Sequence, residues 1–172
     1  MTAQPSNPKK TLIIGASENP ERYSYLATKL LVAHGHPVAC IGLKPGHIDD
    51  TPIVTGEPQL TDIHTITLYV NPAAQHALIP YLFSLAPKRI IFNPGTENVA
   101  FTMVAKQKGI ETMDACTLVL LNTGQYKLRH RCLLNPRHWR SNWPGLVYGI
   151  GRLLRYVQVK CVVRLLNLLS SY

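Results

Sequence analysis

Residues Lys10 to Pro20, K-T-L-I-I-G-A-S-E-N-P, constrain this chain more than any other stretch. Thr11 to Ile14 form a short, apolar, β-branched run, the pattern of a central parallel strand covered on both faces. Gly15 permits a sharp turn, and Asn19-Pro20 reads as a helix N-cap and first helical residue. Such a strand–turn–helix aims backbone N–H groups and a helix N-terminus at one point, which suits a phosphate. The same turn opens an α/β domain that holds no ligand there. The full G-x-G-x-x-G spacing is absent, with Gly15 standing alone, so the turn by itself leaves both readings open.

The remainder of the first two thirds alternates strand and helix patterns. Tyr23, Leu26, Ala27, Leu30, Leu31 and His34 recur at helical spacing within Glu21–His34, and Gly35 is a stop signal. Pro37 to Gly42 reads as the second strand. A loop-rich stretch, Gly46 to Ile63, has room for a short edge strand at Pro52 to Val54. Thr65 to Val70 reads as the third strand, and a helix over Pro72 to Leu85 follows, with Pro80 expected to kink or end it. Arg89 to Phe92 is the fourth strand. Glu97 to Lys108 is a helix with Thr96 as N-cap and Gly109 as stop. Ile110 to Met113 is the fifth strand, and Cys116 to Leu121 is a short helix or a strand extension. Five strands alternating with helices predict an α/β fold, a doubly wound five-stranded parallel sheet with right-handed crossovers.

Ligands of such sheets sit beyond the carboxyl ends of the strands, where the strand order reverses. The loops at those ends are Gly15–Asn19, Gly42–Gly46, Val70–Pro72 and Asn93–Gly95, rich in Gly, Asn, Pro, Ser and Lys. That shared character supports a ligand over an empty crevice. An NAD site wants Asp or Glu just after the second strand. This chain has Gly42-Leu43-Lys44-Pro45-Gly46 there. Lys44 suits a phosphate on an adenosine ribose, as in CoA or NADP, and also fits an ordinary solvated loop lysine.

Catalytic patterns are missing from these loops: there is no Ser-His-Asp order, no H-E-x-x-H and no carboxylate pair. His34-x-His36 flanks a helix stop, where a cation complements the dipole, so a structural role is expected over a metal site. Cys116 lies near the top of the sheet with nothing basic beside it in sequence, the setting of a buried thiol and not of a nucleophile. A binding module without a metal is favoured over an enzyme. The chain of 172 residues suits one domain. Its first residues, Met1 to Pro8, show no signal-peptide core, and no run of 18 apolar residues occurs. The cysteines Cys40, Cys116, Cys132 and Cys161 have no C-x-x-C spacing, which favours free thiols in a reducing cytosol.

Several segments together resemble the small stand-alone CoA-binding-domain proteins, Rossmann-like relatives of the N-terminal domain of the succinyl-CoA synthetase α subunit. They are L-I-I-G-A-S-E-N-P-E-R-Y-S-Y at 12–25, G-H-P-V at 35–38, K-P-G at 44–46, L-Y-V-N-P at 68–72, I-F-N-P-G-T-E-N at 91–98 and C-T-L-V-L-L at 116–121. The resemblance covers roughly residues 9–126. It implies CoA or an acyl-CoA as ligand, with the pyrophosphate at the first turn. Gly15, Ala16 and Ser17 would hold phosphate oxygens, with Arg22, Tyr23 and Ser24 beside them at the start of the first helix. Lys44 and Pro45 would face the adenosine. Val70, Asn71 and Pro72 would line the adenine side or pantetheine path, and Asn93, Pro94 and Gly95 the opposite wall. The large synthetases transfer phosphate through a histidine on another domain that has no counterpart here, so the resemblance implies binding without catalysis.

Charge divides the chain. The net charge is +9, yet residues 1–126 hold all nine acids and an equal number of basic residues. Residues 127–172 hold the other nine basic residues and no acid. That tail reads either as a basic amphipathic arm, Leu146 to Leu169, for membrane or nucleic-acid contact, or as an extension without function beyond a domain ending near Tyr126. The second is favoured. The competing whole-chain readings are an NAD(P)-dependent oxidoreductase or redox regulator in the same crevice, and a tail-driven membrane or nucleic-acid protein.

Overall fold

The computed structural model describes residues 9–127, and the basic tail from 128 onward lies outside the described residues. Seven strands and four α-helices follow in order: β1 (Thr11–Ala16), α1 (Tyr23–Ala33), β2 (Val38–Gly42), β3 (Gly46–Ile48), β4 (Thr51–Val54), β5 (Thr65–Leu68), α2 (Pro72–Ser84), β6 (Arg89–Phe92), α3 (Val99–Gln107), β7 (Glu111–Asp114) and α4 (Thr117–Asn122). A 3-10 turn, Gln125–Lys127, closes the described chain. The strands form one sheet in the order β3-β4-β2-β1-β5-β6-β7. All neighbours are parallel except β3 and β4, which form an antiparallel hairpin.

The α/β class and double winding hold, but the sheet is seven-stranded and mixed where the sequence pattern predicts five parallel strands. Both added strands come from the loop-rich stretch after β2, and β4 falls where the sequence has room for a short strand at Pro52 to Val54. Ile48 pairs with Thr51 across a two-residue turn in which Asp49 has φ 49°, a conformation that Asp tolerates better than most residues. Lys29 on α1 reaches Asp49 Oδ2 at 3.1 Å across the surface. Helix limits also shift. Asn19 and Pro20 do not start α1. Asn19 Oδ1 accepts from the Glu21 N–H at 2.9 Å in a separate turn, and Arg22 is the N-cap. Asn98, not Thr96, caps α3, accepting from the Phe101 N–H at 3.0 Å. The Thr96 hydroxyl instead donates to the Asn93 carbonyl at 2.8 Å. Helix α2 does not end at Pro80 and continues to Ser84. Pro80 is exposed, so water can serve the carbonyl that its missing N–H leaves free.

The alternation of side chains along each strand makes two cores. Leu12, Ile14, Ile41, Ile66, Leu68, Ile90 and Phe92 pack under α2 and α3 with Tyr81, Leu82, Phe101 and Ala105. Ile13, Cys40, Ile53, Ile91 and Met113 face the other way, with Leu31 of α1, Leu120 and Leu121 of α4, and Tyr126. Leu12, Ile13, Ile66, Leu68, Ile90 and Ile91 are completely buried, and each such side chain stabilises the fold by about 1.5–3 kcal/mol. Among the described residues, both cores are built from side chains between Leu12 and Tyr126. The Tyr126 hydroxyl meets the Thr11 hydroxyl at 2.6 Å, and Lys9 Nζ donates to the Lys127 carbonyl at 3.1 Å.

Candidate functional site

Strand β1 is the point where the strand order reverses, with β2 on one side and β5 on the other. Its carboxyl end must therefore leave a crevice, because α1 departs to one face of the sheet and α2 to the other. The first turn is pressed against the far wall of that crevice. Gly15 has φ +89°, and a Cβ built on it would stand 2.9 Å from Val70 Cγ1 and 3.0 Å from the Tyr69 carbonyl oxygen. Glycine is thus required twice, for its backbone conformation and for the close approach. The strand ladder slips between Ile14 and Ala16, and Gly42 lies against the Ala16 carbonyl with no room for a side chain.

Glu18 fastens the first turn to the β3 hairpin. Its Oε1 accepts the His47 N–H at 2.8 Å, and its side chain fills the space a Cβ on Gly46 would need. Ser17 Oγ accepts from the Asn19 N–H at 3.2 Å. The start of α1 receives no side-chain cap, and the Tyr25 N–H returns to the Arg22 carbonyl at 3.0 Å. Arg22 and Tyr23 are exposed there. Ser24 is 3% exposed and turns into the packing, its carbonyl accepting from the Thr28 hydroxyl at 2.8 Å. Lys44 and Pro45 are exposed on the β2–β3 loop, tied to the first turn through Glu18 and His47.

The opposite walls are held by buried amides. Asn71 caps α2 through the Ala74 N–H at 2.9 Å, and Pro72 takes the first helical turn, so this Asn-Pro pair is occupied in starting a helix. Gln75 is completely buried. Its Nε2 donates to the Val70 carbonyl at 3.0 Å and the Thr96 carbonyl at 2.7 Å, and its Oε1 accepts from Asn98 Nδ2 at 3.0 Å. It therefore ties the end of β5 to the loop after β6. Asn93 is 3% exposed. Its Nδ2 donates to Thr67 Oγ1 at 2.7 Å and the Leu68 carbonyl at 3.0 Å, while its Oδ1 accepts the Thr117 N–H at 2.8 Å. That side chain is fully used in joining β5, β6 and α4. Pro94 and Gly95 are exposed, and the Gly95 N–H is taken by Glu97 Oε2 at 2.8 Å.

Of the sequence-derived site residues, Gly15, Ala16, Val70 and Asn71 come together at the crevice, with Ser17, Arg22 and Tyr23 on its first rim. Ser24 and Asn93 lie beneath it as supports. Glu18 and Gln75 are the residues that sequence reasoning misses. Gln75 and His76 are the polar residues of the first half of α2, and nothing in the sequence tells that Gln75 is the buried one. The Tyr69 hydroxyl is buried near Thr67 and Thr117, and burial drives its phenol well above the usual tyrosine range. Burial also raises the Cys40 thiol, keeping it protonated and unreactive, whereas Cys116 is half-buried just before α4. Among the described residues no group of three His, Cys, Asp or Glu side chains gathers as a metal site. None of their helices is long and apolar enough to cross a membrane.

Comparison with known proteins fits this geometry. No curated protein matches the chain. A crystal structure of an uncharacterized protein is 42% identical, covers 70% of this chain and 99% of its own, and superposes with a TM-score of 0.68. A hypothetical protein from Pyrococcus horikoshii is 21% identical over 67% of this chain and 83% of its own, with a TM-score of 0.61. A conserved hypothetical protein from Pyrococcus furiosus is 22% identical over 64% of this chain and 97% of its own, with a TM-score of 0.57. The last two share the fold. The family model described as a CoA binding domain matches residues 9–122, from before β1 to the last residue of α4, and this chain belongs to that CoA-binding-domain family.

Proposed function

We propose that the domain binds coenzyme A or an acyl-CoA in the crevice between the first turn and the end of β5, without catalysis of its own. The family match over residues 9–122 carries this reading. The geometry supports it: a glycine turn pressed to the far wall, an α1 N-terminus without a side-chain cap, and cationic Arg22 and Lys44 on the rim. Gly15, Ala16 and Ser17 offer backbone N–H groups to the pyrophosphate, as helix N-terminal turns do. Arg22 and Tyr23 sit where they reach the same phosphates. Lys44 and Pro45 take the adenosine end, Val70, Asn71 and Pro72 the inner wall, and Pro94 and Gly95 the outer one. Ser24 and Asn93 act from below, by holding these loops.

The test is a thermal-shift titration of the full chain with CoA, acetyl-CoA, dephospho-CoA, NAD and NADP. A ligand held only by the folded state stabilises it by about 2.7 kcal/mol at 100 times its Kd. At about 4–8 °C per kcal/mol for a small domain, that shift is readily seen. CoA compounds are expected to raise the melting temperature and NAD is not. Lys44→Glu should weaken CoA about five- to tenfold more than dephospho-CoA, since only CoA carries the ribose phosphate. A shift with NADP or NAD alone would overturn the proposal in favour of a nicotinamide cofactor.

A further inference from the structure

The opposite end of the sheet holds a buried cation. One register row across the amino ends of the strands runs Thr11, Thr65, Arg89. Arg89 is only 1% exposed. Its Nε donates to Thr65 Oγ1 at 3.2 Å and its Nη1 to the Tyr126 carbonyl oxygen at 3.0 Å. The guanidinium lies over the Tyr126 ring, 4.6 Å from the centroid. The remaining nitrogen, Nη2, is buried and has no hydrogen-bond partner. Among the described residues the ion pair is Lys29–Asp49, at the β3 edge of the sheet, and Arg89 has none. Glu111 follows Arg89 in the register row, is half-buried and has an interaction of its own.

A guanidinium stays charged in any protein environment. Burying it on neutral acceptors with one arm empty is among the costliest arrangements in a core. The surroundings deepen the imbalance, because Lys9, Lys127 and His34 all act on His36, whose ring lies 5.0 Å from that of Tyr126. Each of these groups is cationic or can become so. The empty arm of Arg89 therefore calls for an anion.

The fork identifies which anion. Guanidinium binds carboxylate through two parallel N–H donors. One of those donors, Nη1, already holds the carbonyl oxygen of Tyr126. In the continuous chain, the second substituent on that carbonyl carbon is the amide nitrogen of Lys127, a donor that cannot accept from Nη2. In a chain that ends at Tyr126 it is an oxygen, and the pair of oxygens becomes a carboxylate on the fork. We infer that Arg89 is the receptor for the α-carboxylate of Tyr126, so that the domain completes its own buried ion pair when the chain ends at that residue. Residues 127 onward are then an extension whose presence blocks the pair.

The experiment compares three proteins by chemical unfolding: the full chain, a chain ended at Tyr126 as the acid, and the same chain ended as the amide. The shortened chains keep every core side chain of the described residues, Leu12 to Tyr126. The two shortened chains differ only in the charge and second oxygen at Tyr126. The acid form is expected to have an unfolding constant about tenfold or more below that of the amide. That advantage should vanish in Arg89→Gln, shrink in Arg89→Lys, which keeps charge but loses the fork, and fade below about pH 3.5 as the α-carboxyl protonates. Equal stability of acid and amide would overturn the inference and assign Nη2 to a buried water. So would an advantage that survives in Arg89→Gln, or a Tyr126-ended acid that fails to fold.

Discussion

Replacing Gly15 by alanine tests the geometry on which the whole crevice depends. Two separate costs are expected. At φ +89° a residue with a Cβ is disfavoured by about 1–2 kcal/mol relative to glycine. The added methyl would also meet Val70 Cγ1 at 2.9 Å and the Tyr69 carbonyl at 3.0 Å. The valine can turn aside, but the carbonyl belongs to the strand exit and cannot, so overpacking adds about 1–3 kcal/mol. Gly35 supplies the control. It has φ +74° after α1, with nothing within 4 Å of the place a methyl would take, so Gly35→Ala carries the backbone cost alone. Urea unfolding of both variants should place Gly15→Ala below Gly35→Ala by about 1–3 kcal/mol, a midpoint difference of roughly 1 M at an ordinary m-value. If the two variants unfold within about 0.5 kcal/mol of each other, the first turn does not press on the β5 exit and the close approach plays no part in shaping the crevice.

Two further outcomes follow from buried polar groups. Asn93→Ala removes three buried hydrogen bonds, to Thr67, Leu68 and Thr117; equilibrium unfolding should show a loss of about 2–4 kcal/mol, and a loss under about 1 kcal/mol would deny Asn93 its supporting role. Burial, then the charges of Lys127, His34, Lys9 and Arg89, hold the His36 imidazole below its ordinary 6.5. The unfolded chain therefore takes up this proton first on acidification, so stability should fall as pH drops through about 6.5 and continue falling to the lower folded value. A His36→Phe variant should flatten that part of the stability profile, and an unchanged profile would remove His36 as its source.

The frame of this fold is legible because it rests on periodicity and punctuation. R-I-I-F forms a strand over the very residues read for it, since the five residues between Pro87 and Asn93 leave little choice of boundary. The Gly15 turn is legible for the same reason. The β3–β4 hairpin is only half visible because G-H-I and T-P-I-V are too short to show alternation and carry a proline. It forms because the sheet offers an edge beside β2. Helix starts drift by two or three residues wherever several cap-type residues compete, as in S-E-N-P-E-R and P-G-T-E-N. At the site, residue type is easier to read than residue duty. Their place at strand ends suggests ligand contacts for Asn93 and Asn71, yet the Asn93 amide is used up on Thr67, Leu68 and Thr117, and Asn71 Oδ1 caps α2. Glu18 escapes notice because a carboxylate near a phosphate turn looks unhelpful, although its partner is a backbone amide on the hairpin. Arg89 is invisible as a core residue, since a basic first residue of a strand reads as solvent-facing. Only the register row reveals what it touches.

The meeting of Lys9 with Lys127 and of Thr11 with Tyr126 has a consequence for how this unit can be handled in a gene. Its entry and exit points are neighbours in space although 115 positions separate Thr11 from Tyr126 along the chain. A domain with adjoining ends can be spliced into a surface loop of a host protein, or have its old ends joined and new ones opened at the Asp49-Asp50 turn, with little change of backbone path. During synthesis the same closure imposes an order. The central strand emerges first but waits for the last aromatic residue before its amino end is sealed, so a nascent chain halted short of Tyr126 leaves the strand's Thr11 hydroxyl and the Arg89 side chain open to water.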